Sequence, residues 1–276
     1  RHIWRLARPA IASADIVHAH SNGLLPSLVA WIAGRMGKPV VLTLYGTEIW
    51  HYTRRWFRPD LFTTAYGSAA RVTFYSSGLL DRAVKHGLSR EGLSVIYPPV
   101  ADYFARADRP DRQAARQRLG MTERHLLLNV KRLHPLAGQR HLVEAMPAVL
   151  RAFPDTRLVF CGTGPLRREL TALAQDLGVG AKVTFAGLVD NRTVASYYAA
   201  ADLFVLPSQL EACPTVAVEA LACGTPVVST DSPGGVELGR LFGEDVQVVP
   251  RENPAALAAA IIAELGRERR TSPQTD

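Results

Sequence analysis

The 276-residue chain carries 32 Lys+Arg against 25 Asp+Glu, a net charge of +7, and 47% of its residues are hydrophobic. That length fits two domains better than one core, and the composition excludes an intrinsically disordered chain. The longest apolar runs, residues 23–34 and 255–265, fall short of the roughly 20 residues that cross a bilayer, which excludes membrane-spanning helices built from them.

The chain opens with RHIWRLARPAI, which lacks the apolar segment and cleavage site of a signal peptide and has no initiator Met. Strand-like runs follow at 16–20, 40–45, 71–76 and 93–99, with helix-period segments at 25–37 and 78–87. A complete doubly wound domain opens with a strand and a Gly-rich turn. None precedes the first predicted strand, so the N-terminal domain is expected to be incomplete. Residues 101–123 are polar and Arg-rich and read as a partly helical connection.

From residue 124 the alternation is regular. Strands are predicted at 125–130, 157–162, 183–187, 203–207, 226–230 and 246–250, and helices at 140–153, 166–178, 192–201, 215–224 and 254–268. Strands apolar throughout and separated by helices imply a parallel sheet covered on both faces. The expected division is an N-terminal domain over 1–118, a C-terminal domain over 119–266 and a frayed tail over 267–276. Charge follows it: residues 1–118 carry 17 Lys+Arg against 8 Asp+Glu, and residues 119–276 carry 15 against 17. An anionic partner is therefore expected on the first half. Cys161, Cys213 and Cys223 show no pairing or metal-ligand spacing and read as structural thiols of a reducing cytoplasm.

In open α/β sheets ligands bind beyond the carboxyl ends of the strands, so the turns there carry the candidate chemistry. KRLHPLAGQ (131–139) places two cations where a phosphate binds. Arg132 is preferred for its planar fork, and Lys131 is expected to point to the other side because strand neighbours alternate. GTGP (162–165) supplies Gly162 and Gly164, which let backbone approach a ligand closely. SQLEACPTVAVE (208–219) sets Pro214 at the first position of a helix, with free N–H groups from Thr215 onward to meet a diphosphate. Glu211 and Glu219 flank that helix start. Acids there suit hydroxyl-rich ligand parts, a sugar on one side of a diphosphate and a ribose on the other. His18 and His20 share the strand at 16–20. One of them is expected to face a cleft, His20 by its nearness to the strand end.

ADLFVLPSQLEACPTVAVEALACGTPVVSTDSPGGVEL resembles the signature of GT-B retaining glycosyltransferases of the family-4 type, a Glu, seven residues and a second Glu before a small-x-G-x-P-V-V strand. NVKRLHPLAGQRHLVEA, FCGTGP and VTFAGLV extend the resemblance, and DIVHAHSNG, VVLTLYGTE and VIYPPV do so more loosely. The resemblance implies two Rossmann-like domains facing across a cleft and sugar transfer from a nucleotide sugar with retention of configuration. It needs no metal or cofactor, and no D-x-D is present. It assigns Arg132 to the leaving diphosphate, Glu211 to donor-sugar hydroxyls and Glu219 to the ribose. The backbone at Gly162, Gly164, Ala212, Cys213, Pro214 and Thr215 would line the donor site, with Val189 near the base. Two positions depart from the pattern: Ala137 stands where the family has a Lys, and Tyr45 stands where its frequent active-site His falls. Glu48 and His20 are expected on the acceptor side.

The expected acceptor is a lipid-linked or polysaccharide intermediate of a cell envelope. WRLARP (4–9) and HYTRRWFRPDLF (51–62) mix Arg with aromatic residues and suit an anionic membrane face, which makes a cytoplasmic, peripheral enzyme the expectation. No nucleic-acid module is recognisable. The alternatives are a non-catalytic nucleotide-sugar-binding module, which Ala137, Tyr45 and the missing first strand favour, and a GT-B phosphorylase or epimerase.

Overall fold

Apolar runs that alternate with helix-period segments build two α/β units in the computed structural model, which describes residues 2–20, 23–53, 61–104 and 111–267. Unit 1 comprises residues 1–98 and unit 2 residues 99–276. The expected boundary at 118/119 is thus corrected to Pro98. Physically, Phe104 is buried in the core of unit 2, and the helix over Arg112–Leu119 packs on that unit as well.

Unit 1 holds four parallel strands, β1 (Val17–His20), β2 (Val40–Leu44), β3 (Arg71–Phe74) and β4 (Leu93–Val95), in the order β1-β2-β3-β4. Helix α1 (His2–Ser13) precedes them. Helices α2 (Leu24–Arg35), α3 (Thr47–Trp50), α4 (Leu61–Ser68) and α5 (Ser77–Lys85) lie between them in sequence. Ser76 caps α5 by accepting a hydrogen bond from the Leu79 amide. Val40, Leu42, Leu44, Val72 and Phe74 are buried on one face of the sheet. Thr43 and Thr73, between them, fall on the other face with His18 and His20, and Tyr45 and Tyr75 follow directly after the ends of β2 and β3.

Unit 2 opens with α6 (Arg112–Leu119) and continues with β5 (His125–Val130), α7 (Gln139–Ala152), β6 (Thr156–Cys161), α8 (Arg167–Asp176) and β7 (Val183–Gly187). Then come α9 (Asn191–Ala200), β8 (Leu203–Leu206), α10 (Thr215–Ala222), β9 (Val227–Thr230), α11 (Pro233–Phe242), β10 (Val246–Val249) and α12 (Pro254–Gly266). Its six parallel strands run β10-β9-β8-β5-β6-β7, so the order reverses between β5 and β8. Alternate residues serve opposite faces: Leu126, Leu128, Val159 and Phe204 join one core cluster, and Leu127, Leu158, Phe160 and Val205 the other. A sheet buried on both sides explains why these strands read as unbroken apolar runs.

Helix α6 is fastened by charge. Asp202 accepts from Arg112 Nη1 at 2.8 Å, from the Leu126 amide at 2.7 Å and from Arg116. Arg116 also donates to the carbonyls of Ala200, Glu123 and Arg124. Cys161 and Cys223 are buried and Cys213 is half-buried, all three as thiols, and the Cys223 thiol donates to the Phe104 carbonyl at 3.3 Å. Among the described residues no helix is long and apolar enough to cross a membrane.

Candidate functional site

The reversal between β5 and β8 creates the crevice. The two strands pair only at Leu127↔Leu203 and Leu128↔Phe204. Beyond that the main chains part, and the fully buried Asn129 bridges them by donating Nδ2 to the Val205 carbonyl at 2.8 Å. Gln139, at the start of α7, donates Nε2 to the Arg132 carbonyl at 3.1 Å and so fixes the turn that carries the two cations. Neither amide was among the candidates read from the sequence. The available signal was a polar residue ending an apolar strand run and another opening a helix after Gly138.

An open pocket at this point is lined by Val130, Lys131, Arg132, Cys161, Gly162, Leu188, Val189, Asn191, Val194, Val216 and Glu219. It gathers five predicted residues: Lys131, Arg132, Gly162, Val189 and Glu219. Lys131 and Arg132 both border the pocket, just past the end of β5 at Val130. The Arg132 side chain is exposed, whereas Lys131 forms an ion pair with Glu211. Glu211 therefore adjoins the pocket through Lys131 rather than lining it.

Glu219, on α10, is partly buried and accepts a hydrogen bond from the Tyr198 hydroxyl at 3.0 Å. Burial lifts its carboxyl above the ordinary carboxylate value, and the Tyr198 bond pulls it back part of the way. Helix α10 begins at Thr215, so Pro214 is its N-cap rather than its first residue. The Thr215 amide is also not free, since it donates to the Cys213 carbonyl at 3.0 Å. The turn formed by Ala212, Cys213 and Pro214 is held instead by the start of α11. The Gly234 amide donates to the Glu211 carbonyl at 2.8 Å, and a Cβ on Gly234 would sit 2.9 Å from Pro214 Cδ. Burial pushes the Cys213 thiol up to about 12, so it stays neutral.

The glycines of the GTGP turn answer to the protein's own backbone. Gly162 has φ +143° and Gly164 φ +159°; a Cβ on either would lie 2.1 Å from the Lys131 carbonyl oxygen or 2.2 Å from that of Leu133. They lock the turn after β6 against the turn after β5, so the close approach read from the sequence is between two loops. Ala137 is buried in a single helical turn, Pro135–Ala137, and supplies no cation.

In unit 1, His18 and His20 lie two residues apart and so share a face, with ring centroids 4.0 Å apart; the expectation that only one faces a given side is corrected. His18 Nε2 is hydrogen-bonded to Thr43 Oγ1 at 2.7 Å, and Thr43 Oγ1 to Thr73 Oγ1 at 2.7 Å. Partial burial, then the His20 ring, lowers the His18 imidazole below its ordinary value. His20 Nδ1 is hydrogen-bonded to the Tyr45 hydroxyl, and the Tyr45 ring meets Tyr75 edge-on at 4.4 Å. Glu48 falls in α3, and its side chain lies outside the described residues, as do residues 54–60 of the basic aromatic stretch.

Residues 111–271 match the family described as glycosyl transferases group 1, and residues 1–102 match Glycosyltransferase Family 4. The chain is 34% identical over 266 residues to TuaC of Bacillus subtilis (strain 168), named as a teichuronic acid biosynthesis glycosyltransferase. That match covers 94% of this chain and 63% of TuaC. It is also 34% identical over 183 residues to a GDP-mannose-dependent alpha-(1-6)-phosphatidylinositol monomannoside mannosyltransferase of Mycolicibacterium smegmatis, covering 63% of this chain and 48% of that protein. Among solved structures, Anabaena Alr3699/HepE in complex with UDP superposes with a TM-score of 0.79 at 23% identity, over 95% of this chain and 71% of that one. The chain thus spans less than two thirds of both curated relatives.

Proposed function

Since the chain belongs to the glycosyl transferases group 1 family, we propose that it transfers a sugar from a nucleotide-sugar donor to a glycan or lipid-linked acceptor with retention of configuration. The observation that carries this reading is the pocket at the β5/β8 reversal, where Lys131, Arg132, Gly162 and Glu219 converge. Arg132 has the exposure and the planar fork to take two oxygens of a diphosphate. Charge develops on that diphosphate as the glycosidic bond breaks, so a cation there stabilises the transition state more than the ground state. Glu219 accepts from the ribose diol, and Leu188 and Val189 meet the base. Glu211 takes donor-sugar hydroxyls once Lys131 turns to the diphosphate. The protein's own cations neutralise the leaving group without a metal, so EDTA is expected to leave turnover unchanged.

The acceptor belongs with His20, Tyr45 and Glu48 of unit 1. The relatives named for teichuronic acid biosynthesis and for phosphatidylinositol monomannoside support a cell-envelope acceptor, and the Arg-rich first half supports a peripheral position on an anionic membrane face. UDP and GDP both remain candidates for the donor nucleotide, because the two named ligands differ in base. A nucleotide-sugar-binding module without turnover is the second reading, favoured by buried Ala137 and by the Lys131–Glu211 pair.

The deciding experiment is a thermal-shift screen over nucleoside diphosphates and their sugars, repeated on Glu219→Ala, with turnover assayed in parallel. A shift confined to one nucleotide class and lost in the variant supports the donor site. No shift with any nucleotide overturns it, and binding without turnover selects the second reading. The anomeric configuration of the product, read by NMR, tests retention.

A further inference from the structure

We propose that Tyr198 is the positioning residue for Glu219: its buried hydroxyl occupies one carboxylate oxygen and presents the other to the ribose of a bound nucleotide. The inference rests on the donor-site reading above and adds a residue that does not line the pocket. Tyr198 is fully buried on α9. Its ring is held edge-on by Phe104 at 5.7 Å and by Phe204 at 5.5 Å, from an adjacent turn and from β8. A ring packed this way has one place for its hydroxyl, and the hydroxyl donates to Glu219 Oε2 at 3.0 Å. A carboxylate on a helix otherwise has several rotamers; one bond from an immobile donor selects among them before ligand arrives.

The same bond sets the charge. Burial favours the neutral acid, and the Tyr198 hydroxyl favours the carboxylate. A ribose diol donates hydrogen bonds, so it needs the carboxylate. The other ionisable groups around the pair are the Cys161 and Cys223 thiols beside Tyr198 and the Lys131 and Arg132 cations that line the pocket with Glu219. Burial alone pushes the Cys161 thiol up to about 12, so it carries no charge at the pH of the test.

Tyr198→Phe keeps the ring and removes the hydroxyl. Calorimetric titration with UDP and GDP from acid to neutral pH is expected to show roughly tenfold weaker binding, the scale of one hydrogen bond to a charged group. Without the hydroxyl the Glu219 carboxyl rises further, so affinity is lost at a higher pH as the solution is acidified. Tyr197→Phe should bind like the unmodified protein. A 2′,3′-dideoxynucleoside diphosphate, with no diol, should bind Tyr198→Phe and the unmodified protein alike. Unchanged affinity and acid limb in Tyr198→Phe overturn the proposal, as does an equal loss with the dideoxy ligand, which marks a merely structural role. If Glu219→Gln also binds UDP and GDP normally, the donor-site reading fails and this proposal with it. Should Tyr198→Phe not fold, Glu219→Asp, which keeps the charge and shortens the reach, carries the same pH test.

Discussion

Gly164 has no alternative side chain. Its φ of +159° and the 2.2 Å that would separate a Cβ from the Leu133 carbonyl oxygen both exclude one. Gly164→Ala is therefore expected to cost about 1–3 kcal/mol of stability, measured by chemical denaturation, and to weaken nucleotide binding because the turns after β5 and β6 separate. Arg132 is the opposite case. It is exposed, so Arg132→Ala should leave the melting temperature within a degree or so while diphosphate affinity falls by roughly tenfold or more. Calorimetry beside thermal melting distinguishes the two. An Arg132→Ala variant that melts early but binds normally would contradict the assignment. Arg132 and Gly164 stand just past the ends of β5 at Val130 and β6 at Cys161, yet one is proposed to serve a ligand and the other serves architecture.

At the scale of elements, the start of α11 is the support that composition hides. Ser232 caps it, accepting from the Gly235 amide, and Gly234 contacts the turn before α10. Gly234→Ala is expected to displace that turn and weaken donor-sugar discrimination more than nucleotide binding, since Glu211 shifts while Glu219 stays. Affinities for a nucleoside diphosphate and its sugar conjugate, compared across the variant, check this. The strands among the described residues were legible because each carries apolar residues on at least one side, down to the three-residue β4, and a parallel sheet demands such runs. Helix α11 was not, because SPGG reads as a loop until its cap and the contact with Glu211 are seen. Helices α1 and α4 went unread because Pro9 and the Thr63–Thr64 pair weaken the periodic signal. Within the site, the two cations and the two acids were readable as strand-end chemistry. The Lys131–Glu211 pair and the Tyr198 bond were not, because they join residues 80 and 21 positions apart in sequence.

For the whole molecule, the connection between the units belongs to the second one. Asp202 gathers Arg112, Arg116 and the Leu126 amide, so Asp202→Ala removes one carboxylate that serves two guanidinium groups and a backbone amide. It is expected to lower the stability of unit 2 by about 2 kcal/mol, measured by denaturant unfolding, and to expose α6 to proteolysis. Nucleotide affinity at saturating stability should hardly change, because none of these groups lines the pocket. Finally, the crevice owes its width to two adjoining strands whose ladder stops after two rungs. Beyond those two rungs a side chain takes over from main-chain pairing, since Asn129 on β5 holds the Val205 carbonyl of β8. The turn over 209–213 is tied at two points, the Gln209 amide to the Leu136 carbonyl and the Gly234 amide to the Glu211 carbonyl, so its main chain keeps its place when side chains on the rim are exchanged.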